Sequence, residues 1–239
     1  MATLSKRLSA DLGLAAFLAV MVAQGCGRSA PPSGEQARLP PSEGPASAVS
    51  APMRRIVFLG DSLTAGYGLS PVDAFPSLIQ RRAREAGLAA EVVNAGVSGD
   101  TSAGGLRRLD WALDGDVRVL VVALGGNDAL RGLSVDELRS NLASIVEKAQ
   151  ARHVTVVLAG MEAPPNLGAA YTSAFRKVYR DLAARYHVAL IPFLLDGVAG
   201  VPDLNQADGI HPNTAGARKV AEIVWPFVER AIRRAGSDD

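Results

Sequence analysis

A single cysteine among 239 residues excludes an internal disulfide, so packing rather than a covalent staple must hold this chain together. Neither sign of charge is in excess: 25 Lys and Arg face 24 Asp and Glu, a formal net charge of +1. That balance lacks the electrostatic footprint of a nucleic-acid-binding protein, or of one held on an anionic surface by its charge. No cluster of ligands implies a metal, and no internal repeat is visible. Histidine is scarce, with only His153, His187 and His211, so the placement of each is informative. What remains is a chain of ordinary composition, long enough for one α/β domain with a self-sufficient core.

The N-terminus has the pattern of an export signal. Lys6 and Arg7 precede an apolar run, Leu12 to Ala23, that ends in Gln24-Gly25-Cys26. A basic start, a short apolar segment and small residues before a break describe a signal peptide over residues 1–25. The competing reading is a membrane anchor, for which the run is short. Ala23-Gln24-Gly25-Cys26 resembles the lipobox of bacterial lipoproteins, which implies lipidation of Cys26. The pattern departs at Ala23, where Leu is favoured, and at Gln24, where a small residue is. Over residues 26–52 the composition shifts to Pro, Ser, Ala, Gly and Glu, which cannot bury a core and reads as a disordered tether. Such a coil reaches on the order of 25–30 Å. The expected layout is an exported, periplasmic protein whose folded domain, residues 53–235, floats off a membrane surface on a lipid anchor.

Within the domain, apolar runs alternate with amphipathic stretches. Strands are expected at Arg55–Leu59, Ala90–Ala95, Val117–Leu124, Thr155–Ala159 and Val188–Ile191. Helices are expected at Ala74–Ala86, with Asp73 as cap and Gly87 as stop, and at Ser102–Leu113. Further helices are expected at Val135–Arg152, capped by Ser134, at Ala169–Tyr186, and from Thr214 onward. Pro226 lies inside the last and should kink or split it. Five strands separated by crossover-length connections argue for a parallel sheet with helices on both faces, a three-layer α/β/α sandwich. The flavodoxin-like order 2-1-3-4-5 is the first choice.

In such a sheet ligands bind beyond the carboxyl ends of the strands. Ser62 follows the first strand, Gly99 the second and Asn127 the third, so all three fall on that edge. His153 and His187 sit just before strands and belong to the opposite edge, whereas His211 follows the last strand. Two readings of Ser62 compete: a nucleophile at the strand-to-helix turn, or merely the cap of the next helix. A serine nucleophile needs an oriented base, and Asp208-Gly209-Ile210-His211 offers both side chains from one short loop. Backbone N–H groups of Ser62 and Gly99, with the side-chain amide of Asn127, could serve an oxyanion. Each has a plainer alternative: Gly99 as a tight turn, Asn127 as a loop brace.

Taken in order, Gly60-Asp61-Ser62-Leu63, the Gly99 loop, Gly125-Gly126-Asn127-Asp128 and Asp208-Gly209-Ile210-His211-Pro212 resemble the four blocks of the SGNH subgroup of GDSL hydrolases. Asn94–Thr101 and Leu124–Gly132 are similar in wording to the bacterial periplasmic thioesterase I, lysophospholipase and arylesterase group. No glycine completes a G-x-S-x-G elbow, which counts against the α/β-hydrolase fold. The resemblance spans roughly Arg55 to Ala231. It implies a serine esterase for acyl esters or thioesters that needs no cofactor and no metal. It also implies a triad of Ser62, His211 and Asp208, an oxyanion hole of Ser62, Gly99 and Asn127, and an apolar groove. Leu130, Leu133, Pro165, Leu167 and Tyr171 are the expected groove residues, with Phe193 and Leu194 nearby, and the plainer alternative for each is closing the core. Arg131 reads first as a solvated surface arginine and second as an anchor for an anionic leaving group. Two alternatives stand beside this reading, a polysaccharide O-acetyl esterase and a non-catalytic acyl-binding lipoprotein.

Overall fold

The computed structural model describes residues 53–235. The signal peptide, Cys26 and the tether expected upstream lie outside the described residues. Five parallel strands form one sheet: β1 (Arg54–Gly60), β2 (Ala90–Gly96), β3 (Val117–Ala123), β4 (Thr155–Ala159) and β5 (Ala189–Ile191). Their order is β2-β1-β3-β4-β5, the flavodoxin-like order taken as first choice. The central strands are the most apolar because both of their faces are covered; Val119 to Leu124 and Ile56 to Leu59 are all buried. At the two edges β2 carries exposed Glu91 and Asn94, and β5 is only three residues long.

Among the described residues eight α-helices join and cover the strands: α1 (Ser62–Ala65), α2 (Phe75–Glu85), α3 (Ser102–Arg107), α4 (Leu109–Ala112), α5 (Gly126–Leu130), α6 (Val135–Gln150), α7 (Ala169–Tyr186) and α8 (Thr214–Arg234). α2 packs against α8, while α6 packs against α3 and α7. In α6 the stripe Leu138, Leu142, Ile145, Val146 and Ala149 is buried, and the Ser134 side chain caps it by accepting from Glu137 N–H.

Four local expectations need correction. Asp73 does not cap α2, because it belongs to a 3₁₀ turn, Pro71–Asp73, and Ala74 takes the cap position without a side-chain bond. The helix expected over Ser102–Leu113 breaks at Arg108, whose guanidinium turns inward to the ends of two strands. Val188 lies outside β5. Pro226 does not split α8, which runs unbroken over 21 residues. Both Pro226 and Glu222, whose carbonyl loses its helical donor, lie on the exposed side, where water can take the place of the missing N–H.

Candidate active site

The loops at the carboxyl ends of the strands surround one cleft of about 880 Å³. Ser62 enters it from the turn after β1, Ser98 and Gly99 from the turn after β2, and Asn127 from the start of α5. Met161 to Pro165 come from the loop after β4, Phe193 and Leu195 from the stretch after β5, and Gly209 to His211 from the loop before α8. His153 and His187, by contrast, border a separate depression at the opposite edge, beside the first residues of β4 and β5.

Ser62 does not cap α1. The cap is Asp61, whose Oδ1 accepts from Leu63 N–H at 3.0 Å, leaving the Ser62 hydroxyl free of any capping role. Ser62 Oγ instead lies 2.8 Å from His211 Nε2, and His211 Nδ1 lies 2.7 Å from Asp208 Oδ2. An ionised carboxylate can only accept, so Nδ1 carries the proton and the Nε2 lone pair faces the serine hydroxyl. Asp208 Oδ1 accepts from the backbone N–H groups of Ile210 and His211, both at 3.0 Å. Those two N–H bonds and the imidazole hold the Asp208 carboxyl down at about 2, with the His211 backbone bond the largest cause. The loop can fold back so tightly because Gly209 takes the left-handed conformation, φ +72°.

The Gly99 loop is a four-residue turn closed by Asp100 N–H donating to Val97 C=O at 3.0 Å. Gly99 occupies its third position with φ +83°, the type II arrangement that disfavours any side chain. In that geometry the Gly99 N–H belongs to the central peptide of the turn and is not used by the closing bond. The Asn127 side-chain amide donates to Asp100 C=O at 2.9 Å and reaches Asp61 Oδ2 at 3.4 Å. Its neighbour Asp128 is buried and accepts from both N–H and Oγ of Ser102, which locks α5 to α3.

The cleft wall differs in part from the expected one. Leu130 and Pro165 line it, as does Phe193. Leu133, Leu167 and Tyr171 do not; the Tyr171 hydroxyl donates to Leu133 C=O at 2.8 Å and its ring stacks on Phe175, so the pair braces the scaffold behind the wall. Leu194 is buried in the core, and Leu195 faces the cleft in its place. Arg131 is engaged as well, donating to Gly99 C=O at 2.7 Å.

Three features were not legible as site elements. Asp61 is almost fully buried, and desolvation pushes its carboxyl up to about 6 against the pull of Leu63 N–H and His211. Its place in Gly60-Asp61-Ser62-Leu63 marked it, but only burial reveals its state. The Tyr67 ring lies against the His211 ring, centroids 4.7 Å apart. Gln206 ties these two loops together: its side chain donates to Tyr67 C=O at 2.7 Å, and its backbone N–H donates to His211 C=O at 2.7 Å.

Residues 58–219 match the GDSL-like lipase/acylhydrolase family. The chain belongs to that family. Among its relatives, the esterase TesA of Pseudomonas aeruginosa is 46% identical over 180 residues, covering 75% of this chain and 90% of that protein. The thioesterase 1/protease 1/lysophospholipase L1 of Escherichia coli K12 is 39% identical over 159 residues, covering 66% and 75%. A crystal structure of TesA superposes with a TM-score of 0.72 at 44% identity, covering 74% of this chain and 99% of that one.

Proposed function

We propose that the protein is a serine hydrolase of carboxylic acyl esters and thioesters, with aryl esters and lysophospholipids among its substrates. The observation that carries this reading is the relay of 2.7 Å from Asp208 to His211 and 2.8 Å from His211 to Ser62, opening onto a cleft walled by Leu130, Met161 and Phe193. A pure acyl binder has no need of three such groups in line.

In this mechanism Ser62 Oγ attacks the acyl carbon as its proton passes to His211 Nε2. The imidazolium is stabilised by Asp208, which stays ionised throughout. The oxyanion takes hydrogen bonds from Ser62 N–H, Gly99 N–H and the Asn127 amide. Collapse of the tetrahedral intermediate returns the proton to the leaving alcohol or thiol and leaves Ser62 acylated. Water, activated by the same imidazole, then releases the acid. Leu130 and Pro165, with Met161 and Phe193, hold the acyl chain. The N-terminal pattern supports an exported, periplasmic enzyme tethered through a lipid on Cys26.

A panel of nitrophenyl esters of graded chain length tests the activity, and a fluorophosphonate probe tests the nucleophile. Turnover of the panel and labelling at Ser62 are expected, both lost in Ser62→Ala. A wild-type protein that neither hydrolyses nor reacts would instead be the non-catalytic binder.

A further inference from the structure

Arg108 takes no part in the reaction just described and touches none of the reacting atoms, yet its guanidinium joins the loops that carry them. Nη2 donates to Gly60 C=O at 2.8 Å, two residues before Ser62 at the end of β1. Nη1 donates to Ala95 C=O at 2.7 Å, at the end of β2. Nε donates to Asp100 Oδ2 at 2.5 Å, on the residue that follows Gly99. Asp100 in turn offers its backbone carbonyl to the Asn127 amide at 2.9 Å. The side chains of Arg108 and Asp100 are only 18% and 17% exposed, so solvent does little to weaken the pair.

The three proposed oxyanion donors sit on three separate loops, after β1, β2 and β3. A planar cation with donors in a fixed fork suits the task of setting the distances between such loops, which a lysine ammonium cannot reproduce. It also explains why the helix after β2 breaks: at Arg108 the backbone leaves helical geometry, φ −102° and ψ 7°, where the side chain reaches inward. The cost of interrupting a short helix is offset by three charge-assisted bonds to groups at the strand ends. Arg131 holds the same loop from outside, but through one exposed bond to Gly99 C=O.

We infer that Arg108 is a positioning residue that presets the oxyanion hole, holding the Ser62, Gly99 and Asn127 donors in register before substrate arrives. This rests on the hydrolase reading above, and it adds that the effect falls on the transition state rather than on substrate binding.

The test uses Arg108→Lys and Arg108→Met in the full chain. Melting temperature, steady-state hydrolysis of nitrophenyl butyrate and inhibition by an alkyl trifluoromethyl ketone, whose serine adduct mimics the tetrahedral intermediate, are measured for each. The expected result is a folded protein in which kcat falls about 10²-fold. KM should stay within a few-fold, and the inhibition constant of the ketone should rise by the same factor as kcat/KM falls. Full kcat in either folded variant overturns the inference. So does a joint loss in kcat and KM with the ratio of ketone affinity to KM unchanged, which describes a merely structural residue. Loss of folding in both variants also overturns it, because Arg108 would then hold the domain rather than the hole. Ser62→Ala, run alongside, separates the two levels: activity surviving there sinks the hydrolase mechanism, whereas a dead Ser62→Ala beside unimpaired Arg108 variants sinks only the inference about Arg108.

Discussion

At the scale of single residues, two carboxylates around one serine are driven in opposite directions by their surroundings. Asp208 is exposed and accepts two backbone N–H bonds and an imidazole N–H, so its carboxyl sits at about 2. Asp61, one residue before Ser62, is buried with fewer donors and sits at about 6. The consequences for stability have opposite signs. Asp208 binds its proton less tightly folded than unfolded, so its contribution is present above about pH 4 and is lost as pH falls toward 2. Asp61 binds its proton more tightly folded, so its contribution is present below about pH 4 and is lost as pH rises through 6. Asp61→Asn keeps an acceptor for Leu63 N–H and removes the buried charge. It should therefore raise the melting temperature little at pH 4 and more at pH 8. The limiting gain is roughly 3 kcal/mol, since each tenfold change in proton affinity corresponds to about 1.4 kcal/mol. Melts of both proteins across that range check this, and a gap that narrows with rising pH would contradict it. At the other carboxylate, Asp208→Asn should leave the fold intact and lower kcat by about 10²- to 10⁴-fold, because the imidazole loses its fixed tautomer. Nitrophenyl ester kinetics read that directly.

At the scale of elements, legibility followed periodicity. The β1 and β3 runs and the stripe of α6 are strongly patterned, and each forms within a residue or two of where the pattern places it. The Ser62 and His211 loops can be located because the sheet rule assigns an edge to anything that follows a strand. What escapes is whatever depends on where one side chain turns. Arg107 and Arg108 are adjacent and alike in sequence, and nothing in periodicity says that the second breaks the helix to reach Gly60 and Ala95. Leu194 and Leu195 are likewise indistinguishable until the chain after β5 takes its course. Tyr171 has the character of a groove residue, but α7 places its hydroxyl on a carbonyl behind the wall. Pro226 does not split α8 for a physical reason: a helix tolerates proline where the orphaned carbonyl faces water. Its cost should nevertheless be measurable. Pro226→Ala restores an N–H donor on the exposed side of α8 and should stabilise the domain by about 1–3 kcal/mol without altering turnover. Urea denaturation monitored by circular dichroism gives the answer, and an unchanged midpoint would mean that α8 already absorbs the proline at no cost.

At the scale of the whole molecule, the cleft draws its walls from loops that follow every strand, so its shape depends on the sheet order and on no single element. At about 880 Å³ it is near the upper end of typical ligand sites, more than an acetyl group requires. Leu130 and Ile210, roughly half exposed at its mouth, would be covered only when an acyl chain lies along them. Each methylene fully buried contributes about 0.8 kcal/mol, or roughly fourfold in kcat/KM. The cleft is open to solvent, so a gain of about two- to fourfold per methylene is expected as nitrophenyl esters lengthen from acetate toward hexanoate. The gain should level off once the chain extends past the wall. Leu130→Ser and Ile210→Ser should flatten that slope, lowering hexanoate turnover several-fold more than acetate turnover. A profile that peaks at acetate and ignores both substitutions would mean that the acyl group points elsewhere, and would bring back the O-acetyl esterase reading. A steep slope that both substitutions leave untouched would place the acyl chain instead against Met161 and Phe193, which line the same cleft.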